Sequence, residues 1–227
     1  TAPVLILFFH VPPAYAVGTA LTFGVVVKML VVPMQLARKQ VHFRVLGYML
    51  AGGLPGVIVG SLILTKLNVP GRLGVLNTAL GVTIVMIAAL NLYRVWLRPN
   101  HKPEKDYTRW LPFLTLPIGA EVGFSSAGAG ALGSLLLLAL TSLTAAQVVG
   151  TDLFFGLCVS LIGSGFHLSA GTYDGAILTK LIIGGAAGAF AGTYLAAIAP
   201  QRILRVALSL WLISLGIQLC WTGVHAL

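Results

Sequence analysis

Eight apolar blocks run along the chain: Ala2 to Val11, Ala14 to Leu36, Phe43 to Leu67, Leu73 to Leu97, Trp110 to Leu143, Ala145 to Leu168, Ala176 to Ala199 and Ile203 to Val224. Crossing about 30 Å of hydrocarbon takes around 20 helical residues, and several of these blocks are that long. The period-2 alternation of a transmembrane barrel is absent. The pattern therefore predicts an all-α polytopic membrane protein. The only long polar connector is Arg98 to Arg109, where Pro99 and Pro103 break helix. It separates a first transmembrane repeat, residues 1–97, from a second, residues 110–227, with 98–109 as a cytoplasmic connector.

The two parts resemble each other. A shift of 132 residues lays Ala16-Val17-Gly18-Thr19-Ala20 on Val148-Val149-Gly150-Thr151-Asp152, and the same register superposes Gly52, Gly53, Gly56 and Gly60 on Gly184, Gly185, Gly188 and Gly192. Chance does not hold one register over that length. The second copy begins near Trp110, whereas the first lacks the equivalent of Trp110 to Ala131. The first hairpin is thus expected to be largely missing from this sequence, as an N-terminal segment ahead of Thr1.

The block from Trp110 to Leu143 is interrupted by Gly123-Phe124-Ser125-Ser126-Ala127-Gly128-Ala129-Gly130. One long broken helix and a re-entrant hairpin of two half-helices compete, and loop charge decides between them. Arg38, Lys39 and Arg44 mark one loop as cytoplasmic. A hairpin then puts the connector and Arg202–Arg205 on that same side and the uncharged-to-acidic Ser169–Asp174 loop outside. Each copy becomes a hairpin plus three transmembrane helices. That count is odd, so the repeats are inverted, a common transporter plan.

Composition agrees with this class: 58% of residues are hydrophobic and 8% charged, where soluble domains carry roughly a quarter charged. The net charge of +9 reflects basic residues at helix ends, without the aromatic-interleaved patch of a nucleic-acid binder. Cys158 and Cys220 lie inside apolar blocks with no metal or redox spacing and are read as inert thiols. No enzyme motif, metal cluster or cofactor signature appears.

Few residues carry chemistry. The glycine ladders Gly52-x3-Gly56-x3-Gly60 and Gly184-x3-Gly188-x3-Gly192 suit close helix packing, and Pro55 is expected to bend its helix. The Ser125–Gly130 break offers free N–H groups, hydroxyls and a helix N-terminus starting near Gly130; it is either an anion cradle or a packing kink. Lys28, near the middle of its block, costs about 2.5–3.5 kcal/mol at a helix centre and needs a partner. Three are available: a bound anion, a carboxylate at Glu121 or Asp152, or an interface reached by snorkelling. Glu121, Asp152 and His167 are candidates for carrying a proton, against structural roles for each. Asp174 is read as a helix N-cap, and Lys180 is the remaining charge inside a block.

Pro3-Val4-Leu5, Ala16-Val17-Gly18-Thr19, Gly123 to Gly133, Val149-Gly150-Thr151-Asp152 and the glycine-rich helix after Tyr173-Asp174 together resemble the sulfite exporter TauE/SafE family of bacterial membrane transporters over essentially the whole chain. The resemblance implies a multi-pass protein of the bacterial inner membrane that moves a small, sulfur-containing anion such as sulfite or a sulfonate, generally outward. It also implies a Lys matching Lys28, a Gly-Thr-Asp in each copy and a His towards the end of each of these helices. Lys28, Asp152 and His167 match, while Ala20 and Gln35 replace the first Asp and His, which puts a symmetric two-acid or two-His mechanism in doubt. The expected anion site is lined by Gly18, Thr19, Lys28, Ser125, Ser126, Gly128, Gly150 and Thr151. Protons are carried by Glu121, Asp152 or His167 if transport is coupled. A passive anion channel and an intramembrane sulfur-relay protein are the alternatives.

Overall fold

The computed structural model describes residues 1–67, 73–97, 108–126, 129–198 and 201–225. Most of the connector, residues 98–107, and Ala127 and Gly128 of the break lie outside the described residues. Among the described residues there is no strand. The helices are α1 (Ala2–Phe9), α2 (Pro13–Ala37), α3 (Phe43–Leu67), α4 (Leu73–Leu97), α5 (Leu111–Ser125), α6 (Ala129–Leu140), α7 (Ala145–Ser169), α8 (Gly175–Ile198) and α9 (Gln201–His225), with a 3-10 turn at Thr108–Trp110 before α5. Three of them, Pro13–Ala37, Phe43–Leu67 and Ala146–Ser169, are long and apolar enough within the described residues to cross a membrane. At 1.5 Å per residue, 25 residues reach about 37 Å, more than the hydrocarbon thickness. Leu30, Phe113, Ile183 and Trp221 are exposed on the outside of the bundle, as lipid-facing side chains are. The protein is an all-α membrane protein.

Local chemistry sets the helix ends. Prolines occupy the first turns of α1, α2 and α5, where the missing N–H has no intrahelical partner to lose. Thr144 starts α7 with a capping box to Gln147. The trailing turns of α2 and α7 close through left-handed residues, Lys39 at φ 53° and Gly171 at φ 66°. The apolar block from Trp110 to Leu143 divides as its polar break predicts: α5 ends at Ser126, itself left-handed at φ 57°, and α6 resumes at Ala129.

Helices α2 and α7 pack antiparallel: Gly18 abuts His167 and Thr172, while Gly24 faces Ser160. Helices α3 and α5 run side by side in the same direction. Here the first glycine ladder acts as packing surface. A Cβ on Gly52, Gly56 or Gly60 would collide with the carbonyl oxygens of Pro112, Leu116 and Ala120, and Gly119 and Gly123 meet the carbonyls of Gly53 and Val57 in return. Only glycine lets two backbones approach so closely. Helix α7 starts beside the α2–α3 turn, where Gly150 meets the Gln40 carbonyl. Both ends of the α5–α6 pair are therefore anchored at the same end of the bundle.

Contacts recur in pairs displaced by 132 in both partners. The His42 N–H donates to Thr151 Oγ1 at 3.0 Å, and the Asp174 N–H donates to Thr19 Oγ1 at 3.0 Å. Gly150 abuts the Gln40 carbonyl, and Gly18 abuts the Thr172 carbonyl. Gly53 lies against the ring of Phe155, and Gly185 against the ring of Phe23. His42 Nδ1 accepts from the Val45 N–H at 3.4 Å, and Asp174 Oδ1 accepts from the Ile177 N–H at 2.9 Å, so Asp174 is the N-cap its position predicted.

Candidate functional site

Lys28 projects from α2 into its packing with α7. Its Nζ donates to Ser160 Oγ at 2.9 Å. Gly24, one turn earlier, borders the pair: a Cβ there would be in ordinary contact, 3.4 Å from Nζ and 3.9 Å from the Ser160 hydroxyl. An ammonium has three protons. Among the described residues this one has no second acceptor and no carboxylate at ion-pair distance. Asp152 attracts it only from farther away, so neither carboxylate partner considered from the sequence is its direct partner.

Asp152 faces α6 instead. Its Oδ2 accepts from Ser134 Oγ at 2.6 Å, and its Oδ1 is buried without a hydrogen-bond partner among the described residues, against Gly133, where a Cβ would collide with it. Glu121, on α5, accepts through Oε1 from Ser125 Oγ, while Oε2 is buried without a hydrogen bond among the described residues. His167 is fully buried near the end of α7. Its Nδ1 bonds Thr172 Oγ1 at 2.8 Å, and its ring lies beside the Gly123 carbonyl, which also accepts from Ser61 Oγ at 3.4 Å. Among the described residues, buried polar atoms of Glu121 and Asp152 are thus left without a partner. In a membrane interior such atoms are costly unless water, a proton or a ligand meets them.

The profile of one family, described as Sulfite exporter TauE/SafE, matches residues 1–219. The chain belongs to the TauE/SafE family. The chain is also 25% identical, over 229 positions, to the "Probable membrane transporter protein YjnA" of Bacillus subtilis (strain 168), covering 95% of this chain and 88% of that protein. No solved structure matches it. The protein is a membrane transporter.

In this TauE/SafE protein the residues expected to line one anion site do not all converge. Thr19 and Thr151 are fully buried, and their hydroxyls are taken up by the backbone N–H groups of Asp174 and His42. Gly18 and Gly150 are filled by the opposing turns. Each pair stands ten residues, about 15 Å of helix, from Lys28 or from Ser160, and the two pairs lie at opposite ends of the α2–α7 pair. Ser125 is buried and Ser126 half-buried at the end of α5, and Gly128 lies outside the described residues. Lys180 is exposed on α8. Ser160, Ser134 and Ser61 escaped the sequence reading. Ser160 carried a signal: the 132-residue register that aligns the copies puts it opposite Lys28.

Proposed function

We propose that the two halves are inverted copies of one transport unit, and that the protein is a multi-pass secondary transporter of the bacterial inner membrane. Its substrate is a small, sulfur-containing anion, sulfite or a sulfonate, moved outward. The observation that carries this reading is the Lys28 ammonium: a positive charge within the α2–α7 packing, held by one hydroxyl and by no carboxylate among the described residues. An anion is the partner that offsets its cost. The α5–α6 pair then enters and leaves on the cytoplasmic side as a re-entrant hairpin. The break between α5 and α6, with the half-buried Ser126 at its described edge, is the candidate to take the place of the anion's water.

In this reading Gly18, Thr19, Gly150 and Thr151 position the site rather than touch the anion: they pin each long helix to the turn of the other copy, at opposite faces of the membrane. Rocking about those points alternates access. Asp152, Glu121 and His167 provide the route for a coupled proton, a reading supported by the buried carboxylate oxygens of Asp152 and Glu121 that lack a hydrogen bond among the described residues.

The test is transport by the purified protein in liposomes, with sulfite, sulfonates and carboxylates competing, with and without a pH gradient. The reading expects the sulfur anions to compete best and a gradient to drive accumulation, with Asp152→Asn uncoupling movement from the gradient. Equilibration without accumulation under any gradient would make the protein a passive channel, and preference for carboxylates would remove the sulfur-anion assignment.

A further inference from the structure

A polar cavity opens away from the central lysine, where α2 turns into α3 and the 3-10 turn leads into α5. It is an open cleft of 310 Å³ lined by His42, Arg44, Val45, Tyr48, Thr108 and Arg109, with both arginines exposed. At about 30 Å³ per water, that is room for roughly ten waters, enough for a tetrahedral oxyanion or the phosphate of a lipid headgroup. Among the described residues the lining includes two arginines and no carboxylate. Neither Arg44 nor Arg109 makes a hydrogen bond or ion pair among the described residues.

The floor of the cavity is held firmly. The His42 N–H is bonded to Thr151 of α7 at 3.0 Å, and its Nδ1 caps the first turn of α3 at the Val45 N–H. Arg44 rises from that first turn, Tyr48 follows one turn on, and Arg109 arrives from a separate element. Basic residues that only set membrane orientation need to be on the correct side. They do not need to converge on one cavity, where two like charges repel unless an anion lies between them.

The repeat supplies an internal comparison. In the 132-residue register, His42, Arg44 and Tyr48 correspond to Asp174, Ala176 and Lys180. The helix-capping geometry is kept in both copies, whereas Ala176 stands where the first copy has Arg44. The guanidinium of Arg44 is therefore not a requirement of the repeated cap.

We propose that this cavity binds a phosphate-type oxyanion, with Arg44 and Arg109 donating forked N–H groups and the Tyr48 hydroxyl adding a third donor. The group belongs either to an anionic phospholipid or to a soluble phosphate. The proposal does not depend on which anion the protein transports.

The test uses the whole purified protein in phosphate-free detergent. Its unfolding temperature is followed against inorganic phosphate at constant ionic strength, and separately against phosphatidylglycerol or phosphatidylcholine in mixed micelles. A saturable rise is expected with phosphate or with phosphatidylglycerol, and not with phosphatidylcholine. A response to phosphatidylglycerol alone names the lipid; a response to inorganic phosphate names the soluble ion. Arg44→Gln and Arg109→Gln are each expected to weaken it at least tenfold, and Arg38→Gln, which removes a charge outside the lining, to leave it unchanged. Should either glutamine variant fail to fold, Arg44→Lys and Arg109→Lys keep the charge without the fork and are expected to weaken binding by a smaller factor. No saturable response in the wild type, an equal loss in Arg38→Gln, or unchanged binding in every Arg44 and Arg109 variant overturns the proposal.

Discussion

Lys28 Nζ hydrogen-bonds Ser160 Oγ at 2.9 Å, and these two residues stand 132 positions apart, the displacement that superposes the two halves of the sequence. If the halves are inverted copies, as proposed, a residue touching its own counterpart lies close to the axis relating them, and that axis runs in the membrane plane. Lysine facing serine is one of the places where the halves differ, with Ala20 against Asp152 and Gln35 against His167.

The inverted arrangement is tested by labelling. Lys39 and Ser169 are exposed at opposite ends of the α2–α7 pair. Single cysteines there, with Cys158 and Cys220 replaced by serine, are expected to react with an impermeant reagent from opposite sides of intact cells. Reaction from the same side contradicts the inverted copies.

The first glycine ladder is expected to be intolerant of a side chain. Gly52 meets the Pro112 carbonyl closer than any Cβ tolerates. Gly52→Ala is expected to destabilise the purified protein by about 1–3 kcal/mol through overpacking. Thermal unfolding checks it, and an unchanged unfolding temperature would contradict the close α3–α5 approach.

Thr19 and Thr151 are expected to act as matching pins. Replacing either by valine keeps its volume and strands one backbone N–H, which costs about 1–3 kcal/mol when buried. Both variants should unfold at lower temperature by similar amounts while the affinity for the transported anion changes little. A large loss of affinity with unchanged stability would return these hydroxyls to the anion site.

The helices were legible because a membrane-spanning block needs length and apolarity, and both are written in the residues from Ala14 to Leu36 or Phe43 to Leu67. The break at Ser125–Ser126 was legible for the same reason, as polar backbone in an apolar block. Asp174 as an N-cap followed from its place before a helix. The partner of Lys28 was legible only through the 132-residue register that aligns it with Ser160, because a serine in an apolar helix otherwise looks like any other small residue until the facing helix is known. The places of Thr19 and Thr151 were not legible for a related cause: the antiparallel packing of α2 and α7 carries them to opposite ends. The basic cavity went unread because Arg44 and Arg109 are 65 positions apart and each alone is an ordinary loop charge.

The most direct test of the transport account is the initial rate of sulfite movement in liposomes for the wild type, Lys28→Met, Lys28→Arg and Ser160→Ala. The account predicts that Lys28→Met inserts and unfolds like the wild type yet loses at least tenfold in rate. Lys28→Arg should retain part of the rate, because the charge remains in a bulkier head, and Ser160→Ala should retain most of it. A Lys28→Met protein that moves sulfite as fast as the wild type would contradict the account.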